Sequence, residues 1–161
     1  MAKEIVYQAV DYLGIGRVLP FLDITNEVLI SRGAALPLEG QCTTTMEDRL
    51  EKGAQAQADI FGPHMLEAWK TGHINRWLAA NCFGDYYTRT GLTLAQREMI
   101  TFCFLAAQGG CEPQLTAHAK GNMNLGNDKA FLIRVVSQCL PYIGYPRSLN
   151  AITCVNQAAE G

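Results

Sequence analysis

The sequence predicts an all-α protein, and three observations support that fold class. Apolar side chains recur at helical spacing along most of the chain, and no segment alternates convincingly as a strand would. Glycine and proline lie where these periodic segments end. The pattern of residues 6–26 also returns in residues 136–156, at a constant offset of 130 residues, which indicates an internal repeat of helical units.

The first two predicted helices lie on either side of Gly14. An apolar stripe precedes this glycine, and a second helix is predicted over about residues 16–30, with Gly33 after it. The side chains expected inside from this second helix are Leu19, Leu22, Val28 and Leu29. Residues 34–45 predict an extended linker, because proline, glycine and three consecutive threonines interrupt the helical periodicity.

Three helical segments are predicted after the linker. Thr45-x-x-Asp48 begins a polar helix that reaches about residue 60, and Gly62-Pro63 ends it. Residues 64–70 predict a short helical piece, and residues 74–87 predict another with an aromatic face.

The remaining helices have clearer ends. Thr93-x-x-Gln96 is a capping box that opens a helix, and residues 99–107 of this helix are apolar on nearly every side. Such a helix is expected to be buried. A glycine pair ends it, and the next helix is predicted from about Pro113 to about residue 125. Two more, over about residues 127–140 and 146–157, are predicted to be separated at Pro141.

Composition indicates a folded globular chain and excludes several function classes. The chain is 48% hydrophobic and 17% charged, and its net charge of -2 offers no basic surface for nucleic acid. No apolar run is long enough to cross a membrane, and the opening Met-Ala-Lys-Glu is unlike a secretory leader. We therefore expect a cytoplasmic protein with reduced cysteines. The cysteines form no C-x-x-C pair and the histidines are scattered, so we predict no metal site.

The strongest candidate site follows the buried helix. Cys111 and His118 are seven residues apart, which is two helical turns, so they project from nearly the same face. A thiol at a helix N-terminus is biased toward thiolate, and Glu112 is stabilised there. Gln114 and Asn122 flank His118 on this helix and are candidates to bind substrate. The alternative is structural: a packed thiol, a carboxylate paired with the helix dipole and a core histidine.

Two further candidates lie before this helix. Glu98 begins the buried helix, where a carboxylate is either proton-linked to a neighbouring group or paired with Arg97. Arg89, together with Arg76 and Asp85, either frames a pocket for an anionic substrate or forms ordinary ion pairs on a helix surface.

The segment from Arg97 to Gly110, followed by Cys111-Glu112 and His118, resembles the carboxymuconolactone decarboxylase family, which includes the alkylhydroperoxidase D-like proteins. The later Gln138, Tyr142, Gly144, Pro146-Arg147 and Leu149-Asn150-Ala151 complete the resemblance. Residues 92–161 resemble a complete repeat, residues 1–33 the C-terminal half of another, and residues 34–91 the linker and connecting helices of double-repeat members. The resemblance implies an all-α, alkylhydroperoxidase D-like helical bundle that assembles into trimers or hexamers.

The resemblance also implies two chemistries. In the decarboxylase branch a glutamate lies six residues before a histidine, and Glu112 and His118 keep that spacing. In the peroxidase branch C-x-x-C is followed four residues later by histidine, but Gln114 occupies the position of the second cysteine. Glu98 lies thirteen residues before Cys111, where the peroxidase pattern has twelve.

The preferred prediction is a lyase that needs no cofactor and decarboxylates a small carboxylated lactone or related acid. His118 would be the general acid/base, and Glu112 would orient it or hold charge. One alternative is a thiol-dependent peroxide reductase that uses Cys111. Another is a non-catalytic assembly subunit, because only half of the first repeat is recognised.

We also predict a homo-oligomer, since the apolar face of the first helical pair needs a covering partner. This face comprises Val6, Val10, Leu13, Leu19 and Leu22.

Overall fold

The structure is a computed structural model that describes residues 1–160, and these residues form helices and no strands. The predicted all-α class is therefore confirmed. The chain divides into two compact units, one of residues Met1–Thr93 and one that begins at Leu94. Within the described residues, no helix combines the length and apolar character that a bilayer crossing requires.

The first unit contains four α-helices, one 3₁₀ helix and one π-helical segment. These are α1 (Ala2–Leu13), α2 (Ile15–Ser31), α3 (Arg49–Phe61), a 3₁₀ helix (Pro63–Thr71), α4 (His73–Trp77) and a π-helical segment (Leu78–Tyr87). Residues 34–45 contain no helix, as predicted. Helix α3 begins at Arg49, four residues after Thr45, where the sequence predicted its start. The backbone N–H of Thr45 donates to Oδ1 of Asp48 at 2.7 Å, in the turn that precedes the helix.

Two glycines bring α3 and the π-helical segment into close contact. A Cβ on Gly53 would collide with the backbone oxygen of Ala79, and a Cβ on Gly84 would collide with that of Arg49. Both glycines are buried. Only glycine permits this approach of two helix backbones, so these residues fix how the middle of the first unit packs.

The second unit consists of α5 (Leu94–Gln108), α6 (Glu112–Asn124) and α7 (Lys129–Glu160). Helices α5 and α6 form an antiparallel hairpin joined by Gly109 and Gly110, whose φ values of 68° and 71° favour glycine. Helix α7 packs on both α5 and α6. Its start is capped by Asp128, whose Oδ1 accepts from the N–H of Phe131 at 2.7 Å.

The break in α7 lies at Gly144, three residues later than the predicted end at Pro141. Gly144 has φ 77° and ψ 169°, whereas Pro141 remains inside the helical stretch. Proline can be kept in a helix when the lost N–H bond is tolerated, but a change to positive φ is accessible mainly to glycine. Gly14, which separates α1 from α2, has nearly the same conformation, with φ 79° and ψ 149°. These glycines are 130 residues apart, so both copies of the sequence pattern turn at the same place.

The predicted inner face of α2 needs correction. Leu19 and Val28 are 53% and 45% exposed, although both were expected inside. Val18 is instead the buried residue of this helix. The error follows from composition: α2 is apolar on almost every side, so periodicity cannot single out one buried face.

Candidate functional site

The register of the α5–α6 hairpin determines which candidate residues meet. At the turn, the thiol of Cys111 lies 3.4 Å from the backbone oxygen of Leu105. Seven residues lead back along α5 from Leu105 to Glu98, and seven lead along α6 from Cys111 to His118. In an antiparallel pair these equal steps bring Glu98 opposite His118. The same two turns separate His118 from Cys111 by about 10 Å along the helix axis.

Glu98 and His118 form a hydrogen-bonded pair. Oε2 of Glu98 lies 2.8 Å from Nδ1 of His118. The glutamate side chain is fully buried, and the imidazole is 13% exposed. An ionised carboxylate only accepts hydrogen bonds, so with Glu98 ionised the Nδ1 atom carries the proton and Nε2 is left to act as a base. The arrangement is suited to proton transfer, because the carboxylate also stabilises the imidazolium that forms when His118 takes up a proton.

Asn122 holds the backbone around this pair. Its fully buried amide donates to the backbone oxygen of Glu98 at 3.0 Å and to that of His118 at 2.8 Å. Asn127 supports it in turn, donating to Oδ1 of Asn122 at 2.9 Å and to the backbone oxygen of Ala95 at 3.0 Å. Asn122 was predicted to bind substrate, but its amide is buried and used in these contacts. Its geometry is that of a residue that positions the Glu98–His118 pair.

The structure gives no support to the expectation that Glu112 orients His118. Oε1 of Glu112 accepts instead from the amide of Asn150 on α7, at 3.2 Å. Six residues along a helix rotate a side chain by about 240°, so Glu112 and His118 leave α6 in different directions. The carboxylate partner of His118 comes from α5, where the fold places Glu98.

The expected thiolate at Cys111 is also not supported. Burial and the neighbouring charge of Glu112 raise the pKa of this thiol, despite its place at the start of α6. The cavity beside it measures about 10 Å³, roughly the room for one water molecule. Leu105, Arg147 and Asn150 are among its lining residues. At this position the thiol packs within the second unit.

The remaining candidates are Gln114 and Arg89. Gln114 is exposed on the first turn of α6. Arg89 belongs to the first unit, where its guanidinium donates to both oxygens of the buried Glu4, at 2.8 and 2.9 Å, and lies over the ring of Tyr7. Glu4 raises the pKa of Arg89 by hydrogen bonding to it. This contact gives the predicted substrate-binding role of Arg89 no support.

The structure does not bring Arg89, Arg76 and Asp85 together to frame an anionic pocket. Asp85 forms an ion pair with Arg49, and Arg76 lies over the ring of Trp69 at 5.2 Å. Each side chain has a partner on a neighbouring helix of the first unit. The alternative of ordinary ion pairs and stacking contacts therefore describes these residues better.

Residues 73–157 match the model of the carboxymuconolactone decarboxylase family. This match covers more than half of the chain and includes the whole α5–α6 hairpin. The chain belongs to the carboxymuconolactone decarboxylase family. No curated relative matches it.

The match to the carboxymuconolactone decarboxylase family begins earlier than the complete repeat expected from the sequence. It starts at residue 73 and so takes in α4 and the π-helical segment, which the sequence pattern assigned to the linker region. Both segments precede Leu92, where the sequence resemblance became recognisable. Helices of this kind are hard to recognise because their own motifs are weak, whereas the hairpin has distinctive glycines and a histidine.

Sequence reasoning missed one residue of the site, Asn127. The sequence pattern placed it only at the start of the helix predicted from about residue 127, yet its side chain reaches back to α5 and α6. Its position directly after Gly126 offered a partial clue, since an asparagine beside a glycine at a helix end often bonds to nearby backbone. The tertiary partner could not be read from that pattern.

Proposed function

We propose that this chain is a proton-transfer enzyme that decarboxylates a small carboxylated lactone or related acid, with His118 as general acid/base. The observation that carries the proposal is the 2.8 Å contact between His118 and the buried Glu98. Family membership supports decarboxylase-like or alkylhydroperoxidase D-like chemistry in general. The substrate and the residue roles are the proposal.

The reaction needs one proton to be delivered to carbon. As the carboxylate leaves as carbon dioxide, its bonding electrons shift into a conjugated carbonyl, and the resulting dienolate is protonated. An imidazole that Glu98 holds in one orientation can deliver this proton from Nε2 and recover it from water. Glu98 does not need to touch the substrate and acts as a positioning residue for His118.

The Glu98–His118 pair has the features expected of such a site. The carboxylate is fully buried, and its second oxygen, Oε1, lies without a hydrogen-bond partner in the described part of the chain. An unpaired buried oxygen costs stability, so a fold that keeps it has a reason beyond packing. The imidazole next to it retains partial exposure, which proton exchange requires.

Turnover of a carboxymuconolactone tests the proposal. His118→Ala is expected to reduce kcat by roughly 10²–10⁴-fold, the usual contribution of a general acid/base. Lys120→Ala, an exposed change on the same helix, controls for general effects of mutating α6. Full activity in His118→Ala removes His118 from the mechanism. No turnover in the wild-type chain favours the non-catalytic assembly alternative.

The alternative function, peroxide reduction by Cys111, is disfavoured by the raised pKa of that thiol. Peroxidatic cysteines react as thiolates, and a thiol protonated at neutral pH reacts slowly. Titration of Cys111 with a thiol reagent against pH tests this directly. A thiolate at neutral pH, together with a sulfenic acid at Cys111 after peroxide treatment, would restore the alternative.

We propose further that the chain forms a homo-oligomer through α2. The exposed apolar side chains of this helix are 45–62% exposed and include Ile15, Leu19, Phe21, Ile24, Val28 and Ile30. They lie on several sides of the helix, and a helix that is apolar all round is normally buried. A second copy of the same chain supplies a matching apolar surface, and closed symmetry allows both copies to use it.

Light scattering tests this assembly. We expect a mass at least twice that of the 17.7 kDa chain at micromolar concentration. Phe21→Glu is expected to shift the population toward monomer, because it places a charge in the apolar interface. Asp23→Asn, on an exposed polar position of the same helix, is the matched control and should leave the mass unchanged. A stable wild-type monomer contradicts the proposal.

A further inference from the structure

Two cysteines of the second unit lie side by side on different helices. Sγ of Cys103 on α5 is 3.9 Å from Sγ of Cys139 on α7. Neither belongs to the Glu98–His118 pair. The other four cysteines have different surroundings: Cys42 is exposed, Cys82 lies in the first unit, and Cys111 and Cys154 contact backbone oxygens near the start of α6.

The two thiols of this pair differ in acidity. The hydrogen bond between the two thiols lowers the pKa of Cys139 to about 7. The pKa of Cys103 is raised, first by the same hydrogen bond and then by burial. Cys139 is therefore the more acidic thiol of the pair, and Cys103 is the less acidic one. This lowered pKa contrasts with the raised pKa of Cys111.

We propose that Cys103 and Cys139 form a redox-active dithiol, in which Cys139 is oxidised by a hydroperoxide and Cys103 then closes an intramolecular disulfide. The juxtaposition of the two sulfurs on α5 and α7 carries this inference. It does not depend on the proposed decarboxylase function, because it uses none of its residues.

The reaction balances with the hydroperoxide as the only added reactant. The Cys139 thiolate attacks the terminal oxygen of the hydroperoxide, the O–O bond breaks, and an alkoxide leaves and takes a proton from water. Sulfur is oxidised by two electrons to the sulfenic acid, and the hydroperoxide is reduced to the alcohol. The Cys103 sulfur then attacks the sulfenic sulfur of Cys139. The S–S bond forms, the S–O bond breaks, and the departing hydroxide leaves as water with the proton of the Cys103 thiol.

The geometry permits both steps. Cys139 is only half-buried, so a small peroxide can reach it, whereas Cys103 is the more enclosed partner. Forming a disulfide requires the sulfurs to approach by about 2 Å. Helices α5 and α7 pack directly on each other, so the partners stay close in the folded chain. An exposed lone thiol such as Cys42 lacks a partner at this distance and would stop at the sulfenic acid or react with another molecule.

Stoichiometric oxidation of the reduced full-length chain with cumene hydroperoxide tests the proposal. We expect free thiols to fall from the six of the sequence by two, with a mass loss of about 2 Da, and a peptide that links residues 103 and 139. Cys103→Ser should stop the reaction at the Cys139 sulfenic acid, which dimedone labels. Cys139→Ser should abolish the fast phase of thiol loss, while the matched control Cys42→Ser keeps it.

Three outcomes overturn the proposal: a linked peptide with other partners, no disulfide in the folded wild-type chain, or undiminished fast oxidation in Cys139→Ser. Peptide mapping of the wild-type chain decides the matter even if a variant folds poorly. His118→Ala separates this site from the proposed decarboxylase. It should lose decarboxylation but still form the disulfide between residues 103 and 139. The two outcomes are measured separately, so one can fail without changing how the other is interpreted.

Discussion

Nδ1 of His118 lies 2.8 Å from Oε2 of Glu98, and Oε1 of the same carboxylate is buried without a hydrogen-bond partner in residues 1–160. The buried carboxylate thus has one oxygen that orients the imidazole and one with spare accepting capacity. Such a carboxylate is poised to hold a positive charge on its neighbour. This spare oxygen supports the proposed acid/base pair over a packed core histidine, whose partners are normally satisfied.

The charge of Glu98 is the first feature to test. Glu98→Gln keeps the size of the side chain but removes the charge that stabilises the imidazolium, so we expect kcat for a carboxymuconolactone to fall by roughly 10²-fold or more. Glu112→Gln should have a much smaller effect, because Glu112 contacts Asn150. Steady-state kinetics with circular dichroism as a folding check compares the two. Equal losses in both variants would return Glu112 to a role beside His118.

Asn122 and Gln114 allow positioning to be separated from substrate binding. Asn122→Ala removes two donated hydrogen bonds and leaves Asn127 with one partner fewer, so the free energy of unfolding should fall by roughly 1–3 kcal/mol. Gln114→Ala on the same helix should change stability by less than about 0.5 kcal/mol. Urea denaturation measures both. If Gln114 binds substrate, as the sequence predicts, its variant raises KM without loss of stability.

Close packing in the first unit makes a prediction about Gly53. Gly53→Ala places a methyl group against the backbone of Ala79 and should destabilise the chain by at least about 1–3 kcal/mol, because a helix backbone yields less readily than a side chain. Gly16→Ala is the control, since no atom lies within 4 Å of its added Cβ. It should leave the melting temperature unchanged or slightly higher. Similar melting temperatures for the two variants would contradict the observed α3 contact.

Asp11 should make stability depend on pH. Burial raises the pKa of this carboxyl from 3.8 to about 7, the hydrogen bond to Cys82 lowers it, and the charge of Asp85 raises it. The folded state therefore binds more protons than the unfolded state between these two values, and the contribution of Asp11 to the free energy of unfolding falls as pH rises through this window. Above about pH 7 the contribution is constant.

Comparing the wild-type chain with Asp11→Asn isolates this contribution. The difference in free energy of unfolding between the two should change between pH 5 and pH 8, in the direction that favours the variant at the higher pH. Asp23→Asn, an exposed change, should show no such trend. A difference that stays constant over this range would show that Asp11 ionises in the folded chain as freely as in water.

Local patterns predicted the helices well because their ends depend on local chemistry. Gly14, Gly33 and the pair Gly109-Gly110 lie at observed helix ends, since positive φ is accessible there. The sequence predicted the break at Pro141 instead of Gly144, because proline usually ends a helix. This fold tolerates Pro141 inside the helical stretch. Periodicity also gave the wrong inner face for α2, whose exposed Leu19 depends on what covers the helix.

The site was predicted in part, and the limit is tertiary register. His118 and Glu98 were both recognised as candidates, but the partner assigned to His118 was Glu112, its neighbour in sequence. The observed partner lies twenty residues away, across the hairpin turn. Assigning it requires the pairing of two helices, which the contact between Cys111 and Leu105 fixes in the structure. The raised pKa of Cys111 likewise depends on burial that no spacing reveals.

Because Glu98 and His118 lie on one hairpin, one continuous segment of the gene encodes both members of the proposed acid/base pair. A duplication that copies α5, the glycine turn and α6 copies both members with their spacing, and no distant segment has to be matched to them. A duplication that copies only a helical pair like α1 and α2 transfers apolar surface and a glycine turn. The proposed acid/base pair and the proposed assembly surface on α2 therefore lie on separate segments of the chain.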